Sequence, residues 1–551
     1  MISLGRALAA VILLAPFAYG AGEGTISGTV KDPAGAAFKG VFVRAYNVKT
    51  KMTVSVLSDK QGHYRAPNLP PGDYRVRATA VGYKDDLRGD IKIAASQSLT
   101  LNFTLQKGMA RWEDLSLYQG VRLLPQARGK ELLETQCFEC HHFQTRMAAK
   151  PRNEAGWRAA MNYMRESEGF RGEFRALTDR PYIFCCPERV AYHNERRAIT
   201  EQDYNEMISY LAKYFGPDSR TPSPEESPHY KELVRPVSDE ATQIVYVDYP
   251  MPGPDRYPFS AAPDKNGIAW IPYFGRANQI ARLDPATGEV QEFPVPHKGT
   301  AAIHTAVPAP DGTVWLGEQA PGKLGKWDPV TRTITEYQDP GLRRPDAIMG
   351  SASKHTVRVD ASGRIWASGA VSLFDPKTKE FTHFPELPAA YGVVLDAAGN
   401  GWFTEFPRRD GMLAKVDGKT GKVTKYHTPT PKSGTRRIQI DRDGMVWIAE
   451  YYPGKIARFD PKTETFKEYQ LPGPSPTPYA FEIDNQGRLW YSSFDMDTVG
   501  CLDPKTGKVI EYPFPYSENT MREFFRDAQG RIWFGTPANN KVGYFIPPTG
   551  S

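Results

Sequence analysis

The chain has 551 residues, too many for one hydrophobic core, so its length asks for several domains. Apolar residues at 40% and charged residues at 24% exclude a low-complexity or fibrous chain. A net charge of +6, with no long Lys/Arg run, excludes a nucleic-acid footprint and leaves an acidic redox partner open.

Residues 1–20, MISLGRALAAVILLAPFAYG, carry Arg6, then an apolar run, then small residues at Ala18 and Gly20. This pattern predicts a signal peptide cleaved near Gly20, because the run is too short to span a bilayer. No later segment is apolar enough to span one, so a periplasmic or secreted protein is expected. Residues 24–106 then alternate in short runs (GTISGTV, VFVRAYNV, YRVRATAVGY) separated by Gly, Pro and Asp turns, which predicts a small β-sandwich. Within it SDKQGHYRAPNLPPGDYRVRATAVGY, with Asp59, Gly62, Tyr64, Leu69, Pro70, Pro71, Gly72, Tyr74, Gly82 and Tyr83, resembles the carboxypeptidase regulatory-like domain family. The resemblance implies a seven-stranded, transthyretin-like sandwich that packs or adheres and has no catalysis of its own.

Helical spacing replaces alternation over residues 112–216. RGKELLETQ leads into CFECHH, and ITEQDYNEMISYLAKYF opens on Thr200 as N-cap with Asp203 at the third helical position. Cys137-x-x-Cys140-His141 is the pattern of covalent haem c attachment: two thiols on one helical turn reach both vinyl groups of a porphyrin, and His141 follows as an iron ligand. A zinc knuckle needs a second spaced pair, and Cys185-Cys186 has no gap. A helix before the motif and YLAKYFG at the end resemble class I cytochrome c, which implies one covalent haem and electron transfer. The stretch GWRAAMNYM resembles haem subunits of periplasmic quinohaem dehydrogenases and implies Met164 as sixth ligand, with Met161 the alternative. Met147, His142 and His193 are further alternatives, and core packing is the commoner fate of a methionine. Cys185 and Cys186 form a vicinal disulfide or stay thiols, and Cys501 is expected to be buried in a strand. Residues 217–240, rich in Pro, Ser and Glu, read as a linker.

Residues 241–551 repeat. A Trp-centred block recurs at Trp270, Trp315, Trp366, Trp402, Trp447, Trp490 and Trp533, and hairpins opened by Asp284, Asp328, Asp375, Asp417, Asp460 and Asp503 follow most of them. A period of roughly 44 residues with four short strands predicts a β-propeller, here of seven blades. QIVYVDYPMP looks like the outer strands of other units, so 243–250 is expected to complete the blade of Trp533 and close the ring. The whole is therefore a multidomain, mainly β protein with an α-helical cytochrome c-like unit between sandwich and propeller.

Fixed offsets from each Trp predict rings at the channel mouth. Eleven residues before stand Phe259, His304, His355, Tyr391, Arg436, Tyr479 and Arg522; three after stand Tyr273, Glu318, Gly369, Glu405, Glu450, Ser493 and Thr536. His, Arg, Tyr and Glu on one axis make a candidate binding and acid–base constellation for a small-molecule substrate. HTAVPAPDGTVWLGEQ and GNGWFTEF resemble virginiamycin B (streptogramin) lyases. That resemblance implies a C–O lyase with a His base and Mg²⁺ held near Glu, and His304 and Glu318 match its His–Glu separation; Ala302 stands where the family has an acidic residue. Elimination moves no net electrons, whereas a tethered haem serves electron flow. Electron transfer from a substrate or a docked dehydrogenase to a periplasmic redox partner is therefore the leading expectation, and a Mg²⁺-dependent lyase the alternative.

Overall fold

A computed structural model describes residues 22–138, 142–166, 200–219, 221–254, 256–341, 353–404 and 411–549. The expected signal peptide, Cys140, His141, Cys185, Cys186, His193 and Glu405 lie outside the described residues, as does the side chain of Met164.

The N-terminal sandwich has two facing sheets. Gly24–Lys31 pairs antiparallel with His63–Leu69 and parallel with Ser98–Thr100 and Phe103–Thr104. Opposite it, Thr53–Leu57, Phe42–Asn47, Gly72–Thr79 and Asp86–Ile93 pair antiparallel in that order. The period-two alternation decides the inner face: Val43, Ala45, Tyr74, Val76 and Ala78 are buried while their neighbours turn outward.

The helical unit contains α1 (Leu117–Leu123), α2 (Arg128–Gln136), α3 (Glu154–Glu166) and α4 (Glu201–Phe215). The Thr200–Asp203 capping box starts α4: Asp203 N–H donates to Thr200 Oγ1 at 3.1 Å, and Thr200 N–H to Asp203 Oδ2 at 3.0 Å. Helices α2 and α4 cross in close contact at Gly129. A Cβ there would lie 2.4 Å from Tyr210 Cβ and 2.6 Å from the Glu206 carbonyl oxygen, so the crossing needs glycine. Cys137 ends α2 and is buried with Leu133, Phe138, Met147, Trp157, Met161 and Ile208.

Seven antiparallel blades follow, innermost strand first in blades one to six. The seventh takes Phe525–Arg526, Ile532–Thr536 and Lys541–Ile546 from the C-terminal end, and Val245–Pro250 as its outer strand, in register from Val245↔Ile546 to Pro250↔Lys541. Ring closure is thus as the repeat pattern predicted. The other edge of Val245–Pro250 was not anticipated: it pairs with Thr53–Leu57 through Tyr246↔Ser55, Val247↔Val54 and Asp248↔Thr53. Sandwich and last blade therefore form one eight-stranded sheet. The segment read as a linker is anchored too, by Lys39–Asp239 at 2.5 Å and Arg235–Glu511 at 2.6 Å.

The repeated Asp and Trp work as a unit. In five blades the turn aspartate (Asp264, Asp396, Asp441, Asp484, Asp527) accepts backbone N–H bonds on Oδ1 and the Trp Nε1–H six residues on at Oδ2. Each indole is then locked for packing between blades, as Trp402 packs with Ile438 and Ile448 of the next. Asp441→Ala removes bonds of 3.0, 2.9 and 2.7 Å. It is expected to lower propeller stability by about 1–3 kcal/mol in urea unfolding followed by Trp fluorescence, with Asp441→Asn losing less.

Candidate functional site

The residues eleven before each Trp do converge. Four lie in or beside β-bulges of the innermost strands: between Ile303 and Thr305, Lys354 and Val357, Thr435 and Ile438, and Pro478 and Phe481. A bulge breaks the two-residue alternation and re-aims a side chain, here His304, His355, Arg436 and Tyr479. Hydroxyls of the preceding blade hold the backbone: Thr305 Oγ1 donates to the His355 carbonyl at 2.9 Å, Ser368 Oγ to that of Tyr391 at 2.5 Å, and Thr404 Oγ1 to that of Arg436.

The ring is continuous. Phe259 meets His304 at 5.0 Å between centroids, His304 meets His355 at 3.6 Å, and His355 meets Tyr391 at 4.3 Å. Arg436 Nη1 donates to Tyr391 Oη at 3.3 Å, and its guanidinium covers the rings of Tyr451 at 4.0 Å and Tyr479 at 4.1 Å. Arg522 Nη1 donates to Tyr479 Oη at 3.1 Å and lies 4.8 Å over Phe259, which closes the circle. One level below, Arg437 of blade five spans the channel: Nε donates to the Arg522 carbonyl at 2.7 Å and Nη1 to Thr356 Oγ1 at 2.5 Å.

Burial pushes His304 and His355 well below the usual imidazole range; His355 adds to this for His304, and Arg437 and Arg522 act on both. Both are neutral at pH 7. Thr356 Oγ1 accepts from Arg437 and donates to the Tyr391 carbonyl at 3.4 Å, and it lies 2.9 Å from His355 Nδ1. The His355 ring is itself hydrogen-bonded to the Tyr391 backbone, so it belongs to the wall of the ring. His304 Nδ1 lies a long 3.5 Å from Thr305 Oγ1, whose proton is committed to the His355 carbonyl, so His304 is the better placed base.

Among the described residues, those three after each Trp do not join this ring; Glu405 lies outside them. Glu318 and Glu450 are fully buried and face their own blades: Glu318 lies beside Glu336 and Lys323, near Gly325, and Glu450 beside Glu468 and Lys455. Tyr273 bonds Met251 Sδ at 3.5 Å, and Thr536 bonds the Lys541 carbonyl. The reason is strand geometry. The position pairs across its strand with residues such as Ile303, whose side chain packs between blades. The structure therefore does not assemble His304 and Glu318 into one site. The inward signal is one residue later, at Phe274, Tyr451 and Phe494: Phe274 stacks on Phe259 at 4.2 Å and Phe494 on Tyr479 at 4.3 Å.

The helical unit covers this mouth. Glu518, fully buried, accepts from His142 N–H at 3.0 Å, Thr145 N–H at 2.7 Å and Thr145 Oγ1 at 2.7 Å. Asp497 in turn accepts from the N–H groups of Glu518 and Asn519, both at 2.9 Å, and Tyr118 N–H donates to the Asp495 carbonyl. The His142 ring stands edge-on to Phe494, 6.1 Å between centroids. The segment directly after the Cys-x-x-Cys-His motif is thereby bound to the ring's aromatic wall. Nothing in the sequence marks Glu518 or Asp497, because their role depends on a partner more than 350 residues away.

Comparison with known proteins agrees with the two β units. The carboxypeptidase regulatory-like domain profile matches residues 25–106, and the virginiamycin B lyase family profile matches 376–550. Over 102 residues the chain is 35% identical to the TonB-dependent transporter Oar of Myxococcus xanthus, a match to 17% of this chain that spans 9% of that transporter. A solved streptogramin B lyase is similar in fold, with TM-score 0.50 and 22% identity over 56% of this chain and 99% of its own. Virginiamycin B lyase from Staphylococcus aureus gives TM-score 0.48 and 22% identity over 54% and 98%. The chain therefore carries a carboxypeptidase regulatory-like domain and a virginiamycin B lyase-like propeller.

Two outcomes test this geometry. Glu518→Ala strands three donors at the interface and is expected to open the helical unit to limited proteolysis while the propeller stays intact. Burial, then the charge of Glu468, raises Glu450 from 4.5 to about 7. A raised carboxyl contributes stability that is full below pH 4.5 and lost as pH climbs through 7. Relative to the parent, Glu450→Gln should therefore gain in thermal midpoint between pH 5 and pH 8.

Proposed function

We propose that this is an exported haem c protein of electron transfer, in which the propeller mouth holds a small molecule that gives up electrons and a periplasmic protein is the redox partner. The observation that carries this reading is the Glu518 clasp. It sets the residues that follow the attachment motif against Phe494, and Phe494 stacks on the ring residue Tyr479. The described part of the attachment site fits the group. Cys137 ends a helix inside an apolar shell, and burial holds its thiol at about 12. Met147 and Met161 lie in the same shell. Cys137 and Cys140 would hold the porphyrin, and His141 with Met164 or Met161 would hold its iron. When bound, haem would supply one-electron chemistry. The propeller's share is to bind and orient: Arg436 and Arg522 stand between aromatic rings, and neutral His304 accepts a proton that the small molecule sheds.

A second reading, elimination of the lyase kind, is favoured by one observation, the virginiamycin B lyase-like fold around neutral His304. Its Mg²⁺ does not fit the expected pair, because Glu318 turns toward Glu336 and away from the ring. Among the described residues no group of three His, Cys, Asp or Glu side chains is arranged to hold a metal.

Protein matured in a haem-attaching periplasm is expected to show a c-type α band on reduction and to keep its pigment through acidic organic extraction. Cys137→Ala with Cys140→Ala should be colourless, and Met161→Ala or Met164→Ala should change the spectrum. Extractable or absent pigment overturns the haem reading. Mg²⁺-dependent opening of a cyclic ester, lost in His304→Ala, would establish the lyase.

A further inference from the structure

Among the described residues of the channel, Arg437 carries a buried donor that nothing meets. It is 3% exposed. Its Nε and Nη1 are engaged as described, yet Nη2 is buried without an acceptor. The nearest carboxylate, Glu523, is 3.7 Å from Nη1 and is held more tightly by Arg358, at 2.7 Å. Two guanidiniums thus share Glu523, although Glu482 also acts on Arg358, and Arg437 Nη2 stays a buried donor that neither carboxylate meets. Arg436 and Arg522 stand above it, over aromatic rings. Two stacked pairs, Phe259–Phe274 and Tyr479–Phe494, flank this level, and Arg522 lies over a member of each.

We infer that the propeller mouth takes a small aromatic oxyanion, a carboxylate or phenolate on a planar ring. Arg437 Nη2 meets the oxygens, and the two aromatic pairs flank the ring. The inference rests on the mouth being the substrate site and names the class of molecule that it selects. The parts divide the labour as such a ligand requires: a guanidinium N–H matches carboxylate or phenolate oxygens, and aromatic faces reward a planar ring over an aliphatic chain.

Titration of the full chain with benzoate and with neutral benzamide, followed by calorimetry, tests this directly. Benzoate should bind at least about tenfold more tightly than benzamide, since a charge-assisted bond is lost in the amide, and raising the salt should narrow the gap. Arg437→Gln should remove the preference for benzoate, and Arg437→Lys should restore part of it. Equal affinities, or no binding of benzoate, overturn the inference; a water bridging Arg437 Nη2 and Glu523 gives that result. Should Arg437→Gln fail to fold, the benzoate–benzamide comparison on the unaltered chain still decides. The α band of the same sample reports the haem separately, so a colourless protein that prefers benzoate sinks the haem reading alone, and a pigmented one without the preference sinks this one alone.

Discussion

The strand Val245–Pro250 is the constraint on which the rest depends. A propeller's last blade and a sandwich's outer sheet each end in a row of unpaired N–H and C=O groups, and an open edge invites association. One six-residue strand satisfies both rows, with Lys541–Ile546 on one side and Thr53–Leu57 on the other. Apolar residues in and just after it extend the same logic: Val247, Tyr249 and Met251 pack in one cluster with Val54 and Val56 of the sandwich and Ile271 and Trp533 of the propeller. The sandwich is therefore part of the propeller's closure and not a tethered ornament.

That closure also places the helical unit. The chain leaves the sandwich after Gln106–Lys107, which pairs with Tyr83–Lys84, and returns at Val245 in the eight-stranded sheet, so both ends of the helical segment are fixed to paired strands. A unit held at both ends over one rim needs few contacts to dock, and those it makes are concentrated in Glu518, Asp497 and Asp495. A buried carboxylate without donors would be costly; Glu518 tolerates burial because His142 and Thr145 deliver three hydrogen bonds to it. Docking and carboxylate are thus mutually dependent, and the motif's flank is bound where the ring's aromatic wall begins.

At the mouth, bulges do what regular strands cannot. An inner strand in unbroken register would turn His304, Arg436 and Tyr479 into the spaces between blades or lose them to the pleat. The extra residue redirects each toward the axis, and a hydroxyl from the neighbouring blade fixes its carbonyl. The same geometry explains the failure of the offset three after Trp. Glu318 and Glu450 end regular strands, so they follow the alternation into the blade. Only the next residue, where the strand has ended, is free to face the ring.

Much was legible because it is local or periodic. Alternation in YRVRATAVGY, helical spacing with a Thr200–Asp203 cap, the repeat of Trp with its turn Asp, and the match of 243–250 to an outer strand are all short-range patterns. They determined sandwich, helices, seven blades and ring closure. The ring at His304, His355 and Arg436 was readable for the same reason, as one offset repeated seven times. What the tertiary structure alone decided are contacts between residues distant in the chain, for which one sequence carries no period: Val247 against Val54, Glu518 against Thr145, Arg437 across to Thr356 and the Arg522 carbonyl, and the inward turn at Phe494. Local order follows from backbone sterics and the pleat, whereas the partner of a buried charge is chosen only when the whole chain has packed.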